Sequence, residues 1–159
     1  MMFSHLNDKG RVKMVDIAAK PVTKRTAIAQ GLISLERETL KIIKEDKVAK
    51  GNVLAVARVA GILAAKKTAG LIPLCHSLNL TCIDLSFDLG KEGIRIESRV
   101  ELEGKTGAEM EALTAVAVAA LTIYDMCKSM DKGMTISRIK LIKKTGGRSE
   151  ASGSAREKL

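Results

Sequence analysis

The chain has 159 residues, 46% of them hydrophobic, with a formal net charge of +9 at pH 7. That length supports one compact core; no Pro/Gly/Ser linker divides it, and it carries neither an apolar signal region nor an uncharged run approaching the ~20 residues a bilayer span needs. Three cysteines, Cys75, Cys82 and Cys127, make an odd set without a short pairing pattern, which argues against a secreted disulfide scaffold and for a soluble, cytoplasmic protein.

Residues 1–11 read as a flexible N-terminus and 150–159 as a flexible tail, on either side of a single domain over 12–149. Pro21 to Ser34 is rich in β-branched residues, Val22, Thr23, Thr26, Ile28 and Ile33, and reads as a strand, followed by a short charged helix from Leu35 to Glu45. After Lys50, Gly51 and Asn52, the run Val53 to Ala65 is apolar except for Arg58. It reads as a buried helix that ends at Lys66 and Lys67, with Leu71, Ile72 and Pro73 as the stop. Ile83, Leu85, Phe87 and Leu89 alternate with polar residues, Gly90 to Gly93 turns the chain, and Ile94, Ile96, Val100 and Leu102 alternate again, which predicts a hairpin. Upstream, Leu78, Leu80 and Cys82 keep the opposite phase, so a bulge is expected near Cys82 that would re-aim residues close to His76. Gly104 and Gly107 flank a loop into a long helix, Gly107 to Met130; Gly133 ends it, and Thr135 to Lys144 reads as the last strand. The order β-α-β-β-α-β predicts an α+β, ferredoxin-like fold, an antiparallel sheet packed against helices.

The long helix is the most informative segment because its charges lie only at its ends. Glu109 and Glu111 sit in the first turn, thirteen uncharged residues follow from Ala112 to Tyr124, and Asp125 and Lys128 close it. Acids in a first turn suit the macrodipole, but Glu109 and Glu111 point to roughly opposite sides, so one or both are expected to contact substrate or a neighbouring subunit. At ~1.5 Å per residue Glu111 and Asp125 lie about 21 Å apart, too far for one small substrate within one subunit. If both ends serve one reaction, two such helices should pack antiparallel across a subunit interface. Asp125 and Lys128, three residues apart, share a face and can act as a pair.

The basic excess belongs to the ends of the chain: residues 1–50 carry +5, 51–104 carry 0 and 105–159 carry +4. Such a balance favours an anionic partner, nucleic acid or a phosphorylated small molecule, and one Tyr, two Phe and no Trp leave few platforms for stacking bases. Lys50, ahead of a glycine at a helix start, and Lys144, leading into Thr145-Gly146-Gly147-Arg148, look like triphosphate ligands; Arg25, Lys66 and Lys67 are further candidates. A metal site from Cys75, His76 and Cys82 would supply only three ligands, so buried free thiols are the expected reading.

Several words of the sequence are distinctive: Leu71-Ile72-Pro73-Leu74-Cys75-His76, Gly104-Lys105-Thr106-Gly107 followed by Glu109-Met110-Glu111-Ala112-Leu113-Thr114, and Leu121-Thr122-Ile123-Tyr124-Asp125-Met126-Cys127-Lys128. With Met14-Val15-Asp16-Ile17 near the start and Lys144-Thr145-Gly146-Gly147-Arg148-Ser149 near the end, they resemble the molybdenum cofactor biosynthesis protein C family, the cyclic pyranopterin monophosphate synthases, over roughly residues 12 to 149. The last motif departs from the family's Lys-Ser-Gly-Gly-Lys-Ser at Thr145 and Arg148, keeping hydroxyl and charge.

The resemblance implies a lyase that converts (8S)-3',8-cyclo-7,8-dihydroguanosine 5'-triphosphate to cyclic pyranopterin monophosphate with release of pyrophosphate. It implies no tightly bound cofactor, with Mg²⁺ the one ion that could accompany the substrate phosphates. It carries functional roles onto Lys50, His76, Glu109, Glu111, Asp125, Lys128 and Lys144; Leu74, Cys75 and Met110, from the same motifs, and Arg25 are taken as further substrate contacts. It also implies a hexamer, a trimer of dimers with sites at the dimer interface, and neither membrane nor nucleic acid as a partner. Opening and reclosing a purine-derived ring needs protons delivered to nitrogen and removed from water, and Asp125 with Lys128 is the expected catalytic pair. His76 is expected to position the base or shuttle a proton. Two other classes compete: a basic RNA-binding module, whose affinity would fall steeply with salt, and a structural partner protein without activity.

Overall fold

The computed structural model describes residues 9–147 and, by backbone alone, 151 and 152. The expected flexible ends therefore fall largely outside the described residues. The chain folds as β1 (Thr23–Ser34), α1 (Arg37–Lys44), α2 (Val53–Lys66), α3 (Thr68–Leu71), β2 (Leu80–Gly90), β3 (Gly93–Gly104), α4 (Glu109–Cys127), β4 (Thr135–Thr145) and the two-residue β5 (Ala151–Ser152). The sheet order is β2-β3-β1-β4-β5 and every neighbouring pair is antiparallel. Without the short β5, that is the ferredoxin-like arrangement the element order predicts: β3 lies between β1 and β2, and the connections through α2 and α4 cross one face of the sheet.

Alternation in the strands decides which face is covered. Ile94, Ile96, Ser98, Val100 and Leu102 of β3 are buried with Ala27, Ala29 and Ile33 of β1, whereas Arg95 and Arg99 face outward, where Arg95 lies 3.9 Å from Asp88 and Gln30 Nε2 donates to Glu97 at 2.7 Å. The covering helices bury small residues against one another, Ala57, Gly61, Ala64 on α2 and Ala112, Ala115, Ala119 on α4. A Cβ at Gly61 would come within 2.5 Å of Leu85 Cδ2 and 2.9 Å of the Ala115 carbonyl oxygen, so the close approach of α2 to α4 requires glycine there. Ser98 Oγ donates to the Ala112 carbonyl at 2.7 Å, tying the centre of the sheet to the first turn of α4.

Local chemistry sets the element ends. Asn52 caps α2, its Oδ1 accepting from the Ala55 N–H at 2.8 Å. Arg58, the one charge in the apolar run, donates to the Leu85 carbonyl at 2.5 Å, lies 3.6 Å from Asp84 and stacks over the Phe87 ring at 5.6 Å. Beyond α4, buried Asp131 accepts from the backbone N–H of Glu36 at 2.8 Å and of Gly133 at 3.0 Å, which fixes the turn into β4.

The expected bulge is present: pairing between β2 and β3 shifts register between Leu80 and Cys82. Three features were not anticipated; one is β5, which pairs with β4 inside the stretch read as a flexible tail. The stop after Lys67 is preceded by one more turn, α3, held by Thr68 Oγ1 donating to Ala64 O at 3.1 Å. The β1 and β4 pairing shifts twice, with Arg138 at φ 54° inside the irregular stretch. α4 is long and apolar enough to cross a membrane on composition alone, but half of it is buried in this core.

Candidate active site

α4 delivers two clusters of expected site residues, one at each end. At its N-terminal end two adjoining cavities, of about 450 and 260 Å³, share Lys20, Thr106, Gly107 and Glu109 in their walls. Leu74, Cys75, His76, Met110 and Glu111 line the smaller; Arg25 and Lys144 line the larger. At the other end, beyond these cavities, Lys50, Asp125 and Lys128 form a separate exposed group.

The larger cavity is a cationic cradle. Lys20, Arg25, Lys105 and Lys144 stand against one carboxylate, Glu109, which lies 3.2 Å from Lys144 Nζ. Arg25 Nε donates to the Gly104 carbonyl at 3.3 Å, which leaves its terminal nitrogens directed past Gly147, where a Cβ would come within 2.8 Å of Nη1. Gly146, at φ 90° just past β4, lies so close to β1 that a Cβ there would overlap the Lys24 carbonyl oxygen. Thr23 Oγ1 donates to the Gly146 carbonyl at 2.8 Å and pins the turn. Basic side chains, glycine-lined backbone and the N-terminus of α4 together make a site for a polyanion.

The smaller cavity is walled in part by a buried acid. Glu111 is only 4% exposed, and burial first, then the charge of Glu109, pushes its carboxyl above the usual range against a backbone hydrogen bond that lowers it. Burial likewise pushes the Cys75 thiol up, with the Glu111 charge adding to it. His76 donates its Nε2 proton to the Val15 carbonyl at 2.7 Å; in the neutral ring that tautomer leaves Nδ1 as the acceptor. A pocket holding an imidazole and a buried carboxyl can orient a planar heterocycle and exchange protons with it.

In the distal group, Lys128 Nζ donates to Asp125 Oδ1 at 2.7 Å, and Lys50 Nζ donates to the Asp125 backbone carbonyl at 2.9 Å, capping the last turn of α4. The Lys128 ammonium holds the Asp125 carboxyl below its ordinary value, and the bond to Asp125 raises Lys128 in return. The pair is therefore carboxylate and ammonium through neutral pH.

Within one chain the structure joins Arg25, Lys144 and Glu109 with Leu74, Cys75, His76, Met110 and Glu111, and holds Lys50, Asp125 and Lys128 apart from them. Lys20, Lys105, Thr23 and Thr106 complete the cavities and were not among the expected residues. Lys105 had a signal, its position between Gly104 and Gly107 ahead of α4; Lys20 had none, because it comes from a segment without regular structure. Among the described residues no group of three or more His, Cys, Asp or Glu side chains is placed to hold a metal ion, and Cys82 is exposed on β2 while Cys127 is buried.

Comparison with known proteins identifies the family. Residues 14–147 match the model of the MoaC family. Cyclic pyranopterin monophosphate synthase of Thermomicrobium roseum is 58% identical over 148 residues, 92% of this chain and 89% of that protein. The enzymes of the same name from Desulforapulum autotrophicum and Listeria monocytogenes are 60% and 59% identical, each over 92% of this chain and 91% and 92% of their own. The matched span holds every site residue described above, and the chain belongs to the MoaC family.

Proposed function

We propose that the chain is a cyclic pyranopterin monophosphate synthase, a lyase of molybdenum cofactor biosynthesis, acting on the cyclised dihydro-GTP triphosphate and releasing pyrophosphate. Beyond family membership, the observation that carries the reading is the pair of adjoining cavities, a cationic one sized for phosphates beside one that holds His76 and the buried Glu111 for a heterocycle. On this reading Arg25 and Lys144 bind phosphate oxygens, while Leu74, Cys75, Met110 and His76 seat the base. Glu109 holds Lys144 in place, Glu111 exchanges a proton with the base, and Asp125 with Lys128 carries the acid/base chemistry of ring opening and closure.

The distal group reaches the cavities through a second copy. The outer faces of α2 and α4 expose Val56, Val59, Leu63 and Leu121 at 45, 57, 50 and 57%, an apolar surface with no partner among the described residues. Two copies packed there about a two-fold axis, α4 against α4 antiparallel, would bring Lys50, Asp125 and Lys128 of one to the cavities of the other. Three such dimers make the hexamer. Glu109 is the one carboxylate in the wall of the larger cavity, so a Mg²⁺ accompanying the phosphates would be held chiefly by the phosphates themselves. The partners are then the small-molecule triphosphate and further copies of the chain, with no role for nucleic acid or membrane, in the cytoplasm.

The test is pyrophosphate release from the cyclised triphosphate. Lys128→Ala and Glu111→Ala should each lower turnover by about 100-fold or more. Mixed after dissociation and reassembly, the two should recover about a quarter of wild-type turnover, since half the dimers are mixed and each mixed dimer rebuilds one intact site of two. A mixture with verified subunit exchange that stays inactive would refute the shared site; wild-type protein without release would refute the synthase reading.

A further inference from the structure

The segment Val15 to Lys20 forms no regular element, yet it crosses the mouths of both cavities: Val15 and Ile17 line the smaller, and Lys20 lines both. Its anchoring is sparse. Only Val15 and Ile17 are half-buried, and the rest is exposed. Two side chains from the body of the protein hold its carbonyl oxygens: His76 donates to Val15 at 2.7 Å and Lys105 Nζ donates to Ala18 at 2.5 Å. A small turn shapes it between these points, with Lys20 N–H donating to Ile17 O at 3.0 Å and Ala18 N–H to Asp16 Oδ1 at 2.8 Å.

We propose that residues 15–20 are a strap that closes over the bound ligand, with Lys20 as a direct phosphate ligand and Lys105 as the positioning residue that latches the strap. The inference rests on the reading that the larger cavity takes phosphates. A segment held by two hydrogen bonds and two half-buried side chains opens at low free-energy cost, and a polyanion that pulls the Lys20 ammonium inward adds a charge-assisted contact only the closed state makes. His76 gives the strap a second function. The nitrogen that would otherwise face solvent is occupied by Val15, so strap closure fixes the ring's tautomer and orientation beside Glu111. Opening then sets the exit of pyrophosphate.

The experiment is hydrogen exchange and calorimetry on the full chain with inorganic pyrophosphate as the probe, beside steady-state kinetics with the cyclised triphosphate. In wild type, pyrophosphate should slow exchange of the amides of residues 15–20. Lys20→Ala should weaken pyrophosphate binding by about tenfold or more, the worth of one charge-assisted contact. Lys105→Ala should abolish the ligand-induced protection and raise KM by a similar factor with kcat within about twofold, and Lys105→Arg, which can still reach the Ala18 carbonyl, should restore most of both. Unchanged pyrophosphate affinity in Lys20→Ala, or exchange of 15–20 that ignores pyrophosphate while 144–147 responds, would overturn the strap and leave the synthase reading standing. Strap protection by pyrophosphate in a protein that turns over no cyclised triphosphate would do the reverse.

Discussion

Glu111 carries a cost in stability that its burial makes measurable. Its carboxyl is buried beside the Cys75 thiol and near Glu109, and its proton affinity in the folded chain is raised above the ordinary carboxylate value. A group whose folded pKa exceeds its unfolded one stabilises most below the unfolded value and loses that contribution as pH rises through the folded value. Glu111→Gln keeps the shape and cannot ionise. Thermal unfolding of the variant should therefore track wild type at about pH 4 and show a Tm gain that grows toward pH 7. A gap constant with pH would mean that the carboxyl ionises equally in both states. Asp125 and Lys128 contrast with it, since each fixes the other's charge at an exposed helix end and only a new environment could turn that pair toward proton transfer.

At the scale of elements, the contact between α2 and α4 sets how closely the two helices pack over the sheet. It is built from alanines and Gly61, and its closeness lets α4 reach β1, β3 and β4 along its length. Gly61→Val would drive methyl groups into Leu85 and the Ala115 backbone, where helix and strand cannot both give way. Overpacking of this kind costs about 1–3 kcal/mol, which urea denaturation should report as a lowered midpoint at unchanged slope. An unchanged midpoint would show that α2 can retreat from α4 without cost. The element pattern itself was legible: apolar alternation marked both strands of the hairpin, and the phase reversal at Leu80 and Cys82 marked the bulge. The irregular pairing around Arg138 was not, because β4 carries polar residues on both faces there and its register is set by β1.

For the whole molecule, the apolar outer face of α2 and α4 is what a single chain leaves unfinished. Val59→Glu would place a charge at the centre of that face without touching the core on the opposite side of α2. The variant should remain folded by circular dichroism, sediment as a smaller species than wild type, and lose nearly all turnover. A folded Val59→Glu protein that keeps its oligomeric state and activity would move the interface elsewhere. The charge balance belongs to this scale too: basic residues from both halves of the chain, Lys20 and Arg25 from one side and Lys144 from the other, converge on one cationic cavity.

The sequence by itself determined the element order, the fold class and the family, because hydrophobic period, turn residues and long contiguous motifs are local properties written in consecutive residues. It also determined that Glu111 and Asp125 lie too far apart for one small ligand, since helix rise is a constant. Only the tertiary structure decided which of the motif residues share a cavity. Arg25 and Lys144 meet because β1 and β4 pair antiparallel and Gly146 packs closely on β1, and Leu74 to His76 meet Glu111 because the chain leaving α3 crosses the start of α4. The motif Met14-Val15-Asp16-Ile17 marked the strap but not where it lies, and Lys20 was not legible, because a segment without period takes its place from two long-range hydrogen bonds.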